Sequence, residues 1–167
     1  STVDVPLIAM VSMSIVRRRG GGAFVRAALD AGFDGLIVPD ADREELEEIT
    51  AVIDETGAAF TTLIAPDSPP SRFAKIIPHC REFVYLLTRR GLTGERSEKP
   101  VIAGPVETIR SLSPLPIAAG FGISRPEHVA AIFEGGAQGA IVGSALIRAL
   151  STALEEGSSL ANAAQQF

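Results

Sequence analysis

Short apolar runs alternate with longer amphipathic runs along the whole chain. Each apolar run has the length of a buried strand, and each is followed by a turn and a segment with helical spacing. Repeated strand–helix units of this kind predict one α/β domain over residues 1–167, with a parallel sheet and right-handed crossovers. The chain supplies six such units, whereas a closed (β/α)₈ TIM barrel has eight, so we expect a partial barrel. The predicted strands are residues 6–11, 35–38, 59–64, 82–87, 115–119 and 140–142.

Capping signals mark the boundaries of the predicted helices. Asp42 is followed three residues later by Glu45, which predicts a capping box, and Gly57 is placed to end the helix that follows. Gly32 is expected to end the preceding helix in the same way, and the glycine-rich segment 17–22 predicts a loop. The predicted helices are residues 23–31, 43–56 and 71–77, a segment through Val106 and Ile109, segments that begin at Pro126 and Ser144, and residues 158–167.

Two glycine-containing junctions stand out among the predicted strand–helix turns. Gly120-Phe121-Gly122-Ile123-Ser124 follows the fifth strand, and Gly143-Ser144-Ala145 follows the sixth. Glycine lets the backbone approach a ligand closely, and the free N–H groups of a helix N-terminus favour an anion. Since barrels of this class bind phosphate in the loops after their last strands, we predict a phosphate site here, with Ser124 and Ser144 as helix caps. The alternative is that Gly122 and Gly143 only permit tight turns.

Composition and charge restrict the possible partners. The chain is 46% hydrophobic and 21% charged with a net charge of −5, which is typical of a globular protein and argues against nucleic acid or an anionic membrane as a partner. Cys80 is the only cysteine, so an internal disulfide is excluded. No apolar run reaches membrane-spanning length, and the first residues lack the pattern of a signal peptide. We therefore expect a cytoplasmic protein.

Few side chains are placed for catalysis. Asp40 follows a predicted strand, where barrel active sites lie, but a turn or capping role is equally open. Tyr85 lies inside an apolar strand, which favours a hydrogen-bonded hydroxyl in the core. His79 and His128 lack the spacing of metal ligands, so surface or helix-end positions are expected for both, and no metal is predicted.

Four separate stretches of the chain carry a resemblance to a known family. They are residues 34–40, Tyr85-Leu86-Leu87 with Gly91-Leu92-Thr93-Gly94, Gly120–Ser124 with Pro126-Glu127, and Val142-Gly143-Ser144-Ala145. In these stretches the chain is similar to the α subunit of tryptophan synthase, a (β/α)₈ barrel lyase. The resemblance implies binding of indole-3-glycerol phosphate and its cleavage to indole and glyceraldehyde 3-phosphate in tryptophan biosynthesis.

The resemblance also implies roles for individual residues and partners. It implies no cofactor on this chain, because the family's pyridoxal phosphate is carried by a partner β subunit, to which indole passes through a tunnel. Residues 39–40 match the side that faces this β subunit. The implied roles are substrate phosphate binding for Gly94, Gly122, Gly143 and Ser144, the indole pocket for Ile37, Phe121 and Ile141, and supporting positions near the catalytic centre for Asp40, Tyr85 and Thr93.

The chain departs from the family pattern in two respects. The family's two catalytic carboxylates precede the part that this chain matches, so the resemblance assigns no catalytic residue and we expect little or no indole release from this chain alone. Ser12 and Ser14 occupy positions where the family usually has Tyr-x-Asn. An open parallel sheet also leaves two unpaired edges, at residues 6–11 and 140–142, which we expect to be covered by a helix or by another chain in a homo-oligomer.

Two other functions remain open at this level. One is a non-catalytic phosphate-binding scaffold or activator that docks on a β-type subunit. The other is a different phosphate-binding barrel enzyme, such as a phosphosugar isomerase or a thiamin-phosphate-type synthase. Tyr85 and the loop that contains Thr93 and Gly94 fit the lyase family better than either of these enzymes.

Overall fold

A computed structural model describes residues 4–89 and 100–167 of the chain. Among the described helices, none is long and apolar enough to span a membrane. The strands are β1 Ile8–Met10, β2 Gly35–Ile37, β3 Ala59–Thr61, β4 Leu63–Ile64, β5 Val84–Leu87, β6 Ile117–Gly120 and β7 Gly139–Ile141. The helices are α1 Met13–Arg17, α2 Gly21–Asp30, α3 Arg43–Thr56, α4 Pro70–Ile76 followed by a 3₁₀ turn at Ile77–His79, α5 Ala103–Leu112, α6 Pro126–Glu134, α7 Ser144–Glu155 and α8 Leu160–Gln166.

The strands form two parallel sheets that follow each other along the chain, in the orders β1-β2-β3 and β4-β5-β6-β7. The predicted third strand is split at Thr62 into β3 and β4. At the split, the hydroxyl of Thr61 donates to the Thr62 carbonyl (3.1 Å) and accepts from the N–H of Tyr85 (3.2 Å), so it bridges the two sheets. The predicted partial α/β barrel with parallel strands is confirmed, with its third strand in two pieces.

Alternate residues of each strand face opposite sides of the sheet. On the outer side, Leu36 and Phe60 pack with α2 and α3, while Leu86 and Ala119 pack with α4, α5 and α6. The residues between them therefore form the inner face of the sheet. This inner face includes Ile8, Met10, Ile37, Thr61, Tyr85, Leu87, Ala118, Gly120 and Ile141.

The predicted capping signals at α3 are confirmed. The N–H of Glu45 donates to Oδ1 of Asp42 (3.0 Å), and the N–H of Asp42 donates to Oε2 of Glu45 (2.8 Å), which closes the capping box. Gly57 ends α3 in the left-handed conformation with φ +71°, a conformation that side chains disfavour. Gly32 follows α2 with φ +95°, as expected for a helix stop.

The prediction of a loop at residues 17–22 was wrong in part. Arg17 ends a short helix, α1, which the sequence pattern did not indicate, and α2 already begins at Gly21. Met13 and Val16 of α1 are buried, and their packing against α2 and α3 supplies the stability that five residues cannot provide alone. Arg17 also forms an ion pair with Glu45 of α3.

The outer strands β1 and β7 each have one hydrogen-bonded neighbour among the described strands. Met10 on β1 is 51% exposed, and Ile147 and Leu154 on α7 are 62% and 69% exposed, so apolar side chains lie near both edges. The tail helix α8 packs against α7. Coverage of the edges by another chain stays a prediction.

Candidate functional site

The carboxyl ends of β5, β6 and β7 bring several of the predicted site residues together. Gly120 at the end of β6 pairs with Ile141 of β7. A Cβ atom on Gly120 would lie 2.7 Å from the hydroxyl oxygen of Tyr85 and 2.9 Å from Cβ of Ile141. Only glycine fits at position 120, and its lack of a side chain leaves room for the Tyr85 hydroxyl on the inner face.

The chain leaves β6 through two residues with left-handed backbone conformations. Phe121 has φ +90° and Gly122 has φ +72°. The main-chain N–H of Thr88, just after β5, donates to the Gly120 carbonyl (2.8 Å), and the Thr88 hydroxyl donates to the Phe121 carbonyl. Sequence reasoning missed Thr88, whose only signal was a hydroxyl immediately after an apolar strand.

The N-terminus of α7 is open. Gly143 is its N-cap residue, no side chain caps it, and its first turn contains no acidic residue. The first N–H groups of a helix have no acceptor within the helix, so those of Ser144 and Ala145 are available to a ligand. A Cβ atom on Gly143 would meet no atom of the described residues within 4 Å. Together these features leave space and unpaired donors at the predicted phosphate position.

The predicted capping roles of Ser124 and Ser144 were wrong. Ser144 is the first residue inside α7, with Gly143 as the N-cap. Arg125 takes the N-cap position of α6, without a side-chain cap bond. A serine caps a helix only from the residue that precedes the first helical one, so a shift of one residue removes the capping geometry.

Tyr85 is buried on the inner face, with 3% of its surface exposed. Burial raises the pKa of Tyr85 to about 12, because the phenolate would lose its hydration. The phenol is therefore neutral at physiological pH. It can donate a hydrogen bond but does not serve as a base.

Asp40 follows β2 and joins it to the start of α1. Its Oδ1 accepts the N–H of Met13 (2.7 Å), and its Oδ2 accepts the hydroxyl of Ser12 (2.9 Å). The Met13 N–H, with a smaller contribution from Ser12, holds the pKa of Asp40 below its usual value although partial desolvation opposes this. Asp40 is thus ionised at neutral pH and acts as an acceptor. The Ser12 contact was not predicted from the sequence.

The bonds to Asp40 predict a pH dependence. A carboxylate whose pKa is lowered by folding stabilises the fold above its unfolded pKa, and this contribution is lost as the pH falls through the folded value. Urea unfolding between pH 6 and pH 3 should therefore show a smaller loss of stability in Asp40→Asn than in wild type. The difference should stay under about 1 kcal/mol, because Asp40 is exposed.

The control for this experiment is Asp30→Asn, at the exposed end of α2, which removes the same charge from the chain. Equal pH dependence of Asp40→Asn and wild type would contradict the role of the Met13 and Ser12 bonds.

One predicted pocket residue, Ile37, lies apart from the junctions at β6 and β7. Ile37 is buried on the same inner face at the end of β2, and it pairs with Thr61 of β3. Thr93 and Gly94 lie outside the described residues. The positions that the structure does bring together are therefore Tyr85 and Ile141 through Gly120, and Phe121 and Gly122 next to them.

His79 and Cys80 lie away from these junctions, whereas His128 contacts the last residue of the junction after β6. His128 is buried in the first turn of α6, one of the two expected positions, and its Nδ1 accepts the N–H of Ser124 (3.4 Å) just before that helix. Burial lowers the pKa of His79, whose Nδ1 lies 3.4 Å from the Thr50 hydroxyl. Burial also raises the pKa of the Cys80 thiol, which agrees with the predicted role as a small apolar residue.

Comparison with protein families decides the relationship. The family model of the tryptophan synthase alpha chain matches residues 1–167. The chain belongs to the tryptophan synthase α family. It is 36% identical over 152 residues to the tryptophan synthase alpha chain of Synechococcus sp. (strain CC9902), covering 90% of this chain and 56% of that protein. It is 39% identical over 157 residues to that of Methanosarcina mazei, covering 93% of this chain and 55% of that protein.

Solved structures of the same family have the same fold. The tryptophan synthase α subunit of Pyrococcus furiosus matches with a TM-score of 0.80 and 28% identity, covering 98% of this chain and 64% of that one. A chain of the α2β2 complex from P. furiosus matches with a TM-score of 0.78 and 31% identity, covering 90% of this chain and 61% of that one. This chain spans little more than half the length of the curated relatives it matches.

Proposed function

We propose that this member of the tryptophan synthase α family binds indole-3-glycerol phosphate and acts in tryptophan biosynthesis. Two observations in a member of this family support the proposal. The N-terminus of α7 has no side-chain cap, and Tyr85 and Ile141 meet at Gly120 on the neighbouring strand. The family reaction would cleave the substrate to indole and glyceraldehyde 3-phosphate, which makes the family a lyase.

The substrate phosphate is assigned to the main chain at Gly122, Gly143 and Ser144. The twelve-residue helix α7 has the length to maintain a dipole, and its first N–H groups are uncapped. The whole chain has a net charge of −5, so attraction must come from such local donors and not from the overall field. Gly94 remains a further proposed contact.

The indole end of the substrate is assigned to the inner face. Ile37 and Ile141 present apolar surface there, and Phe121 follows Gly120 directly. The neutral Tyr85 hydroxyl reaches the same region and supplies a hydrogen-bond donor among these apolar groups. Such a pocket suits a flat, mostly apolar ring with one polar edge.

Carbon–carbon bond cleavage also needs a group that transfers protons. Asp40 is ionised and already accepts two hydrogen bonds, so we assign it a positioning role beside the substrate. Tyr85 cannot act as a base because its hydroxyl is protonated at physiological pH. We therefore expect this chain by itself to bind the substrate with little or no turnover, and Thr93 stays a proposed supporting residue.

A tryptophan synthase β subunit is the proposed protein partner. A groove of about 440 Å³ adjoins the carboxyl end of β2 between α3 and α4. Its lining carries Arg43, Arg72 and Lys75 together with Asp40 and Asp42 around apolar Leu63 and Ile76. Charged groups of both signs around an apolar centre suit contact with a protein surface. A scaffold or activator without catalysis would use the same surface, so turnover distinguishes the two functions.

The proposal predicts stabilisation by glycerol 3-phosphate. A ligand at 100 times its Kd adds about 2.7 kcal/mol to the free energy of unfolding, which should raise Tm by about 5 °C or more. Differential scanning fluorimetry measures this shift, with glycerol at the same concentration as the control for the phosphate. An equal Tm in both solutions would contradict phosphate binding.

The same samples separate the enzyme from the scaffold. Indole release from indole-3-glycerol phosphate is measured with this chain alone and with an added β subunit, and gel filtration reports complex formation. Turnover in the presence of the β subunit supports the lyase. Stable complex formation and phosphate binding without turnover support the scaffold or activator.

A further inference from the structure

Thr88 holds two successive carbonyl groups at the end of β6. Its main-chain N–H donates to the Gly120 carbonyl (2.8 Å), and its hydroxyl donates to the Phe121 carbonyl. Thr88 itself is only 4% exposed, so water does not compete for these bonds. One residue just after β5 therefore determines how the chain turns after β6.

The turn after β6 requires an unfavourable backbone conformation at Phe121. Among the described residues other than glycine, only Glu82 and Phe121 have positive φ, and Phe121 has φ +90°. A phenylalanine side chain gives no local hydrogen bond that would favour this conformation. Such a conformation persists only where surrounding contacts impose it, and the two Thr88 bonds are contacts of this kind.

The orientation of the next N–H group follows from the planar peptide. The Phe121 carbonyl and the Gly122 N–H belong to one trans peptide group, so they point in opposite directions. Because the carbonyl points to Thr88 beside β5, the Gly122 N–H points away from β5. Strand β6 lies between β5 and β7, so this direction leads to the side where α7 begins.

The Gly122 N–H has no main-chain acceptor within residues 4–89 and 100–167, so among these residues it remains a donor for a ligand. The first N–H groups of α7 stand on the same side, after β7. The donors of two neighbouring junctions thus lie on the same side of β6, and one of them is oriented by a hydrogen bond between residues 33 positions apart in the chain.

We propose that Thr88 is a positioning residue for phosphate: its hydroxyl orients the Phe121–Gly122 peptide so that the Gly122 N–H and the N-terminus of α7 bind the same anion. Thr88 acts through the main chain and does not touch the ligand. The inference rests on the proposed phosphate binding, which it deepens by naming the residue that orients one of the donors.

The test compares Thr88→Val, which keeps the side-chain shape and removes the hydroxyl, with Thr88→Ser, which keeps the hydroxyl. Calorimetric titration with glycerol 3-phosphate should show about tenfold weaker binding for Thr88→Val and binding within about threefold of wild type for Thr88→Ser. The matched control is Thr50→Val. Thr50 is a buried threonine of α3 whose hydroxyl donates to the Leu46 carbonyl (2.7 Å), so its loss should leave the affinity unchanged.

A second measurement reports orientation directly. In ¹⁵N–¹H spectra, the Gly122 amide of wild type should shift on addition of glycerol 3-phosphate, and this shift should be absent in Thr88→Val and restored in Thr88→Ser. If Thr88→Val does not fold, Thr88→Cys, with its weaker S–H donor, takes its place and should show the intermediate affinity.

The outcomes separate this inference from the proposed function. Wild-type affinity in Thr88→Val, with wild type itself binding, overturns the role of Thr88 and leaves phosphate binding intact. Weakened binding in Thr50→Val to the same extent as in Thr88→Val also overturns it, because the loss would then be general. If wild type does not bind glycerol 3-phosphate, the proposed function fails and the role of Thr88 fails with it.

Discussion

The Ser144→Asp variant should bind glycerol 3-phosphate at least about tenfold more weakly than wild type and should unfold at a higher temperature. Ser144 is the first residue of α7, so the new carboxylate would stand at the proposed phosphate position and repel it. The same carboxylate complements the helix dipole, whose first turn has no acidic residue, and adds about 0.3–1 kcal/mol of stability. A loss of binding with a gain in stability cannot be explained by damage to the fold.

The matched control is Ser151→Asp on the same helix. Ser151 is exposed and lies seven residues further along α7, about 10 Å at the helical rise, which exceeds the Debye length of about 8 Å at physiological salt. It should keep the wild-type affinity. Calorimetry and thermal unfolding on both variants provide the test, and wild-type affinity in Ser144→Asp would rule out the N-terminus of α7 as the phosphate site.

The Gly35→Ala variant should lose roughly 3 kcal/mol of the free energy of unfolding, which is the upper end of the usual cost of adding a methyl group to a well-packed interior. The added Cβ would lie 2.3 Å from the carbonyl oxygen of Ala59 and 2.6 Å from its Cβ, and these residues pair directly between β2 and β3. The clash is with main-chain atoms of a buried strand, so no side-chain movement relieves it. For a domain with about 5–15 kcal/mol of stability, this is a large fraction.

Urea unfolding measures the loss, with Gly104→Ala as the control. Gly104 lies in α5, and a Cβ there would meet no atom of the described residues within 4 Å. Alanine is the better helix former by up to about 1 kcal/mol, so Gly104→Ala should be neutral or stabilising. A loss below about 1 kcal/mol in Gly35→Ala would show that β2 and β3 are further apart than in the structure.

Patterns within a few residues predicted much of the fold. The alternation of apolar and amphipathic runs predicted the strands, because burial of one run and one helix face is a local requirement. The capping box of Asp42 and Glu45 and the helix stop at Gly57 were predicted for the same reason. Helix α1 was missed because a segment of five residues is too short to show helical periodicity. Its formation also depends on burial against α2 and α3.

The candidate site was predicted only in outline. The glycine junctions after β6 and β7 indicated an anion site, and Tyr85 and Ile141 proved to meet at Gly120. The predicted capping roles of Ser124 and Ser144 were wrong because the N-cap residue lies one position away in each case. Residue preferences do not locate a helix start to a single residue. Capping depends on the backbone angles of one residue, and these are determined by the packing of the strand before it.

The sequence by itself determined the order of strands and helices, the family and the presence of two glycine junctions, because periodicity, capping and glycine freedom act over a few neighbouring residues. Only the tertiary structure decided which atoms meet. Met13 and Asp40 are 27 residues apart, and Thr88 and Phe121 are 33 apart, yet each pair is joined by a hydrogen bond. Hydrogen bonds between strand ends follow from how parallel strands align, which no local pattern encodes, and in this chain they orient the groups proposed to bind phosphate.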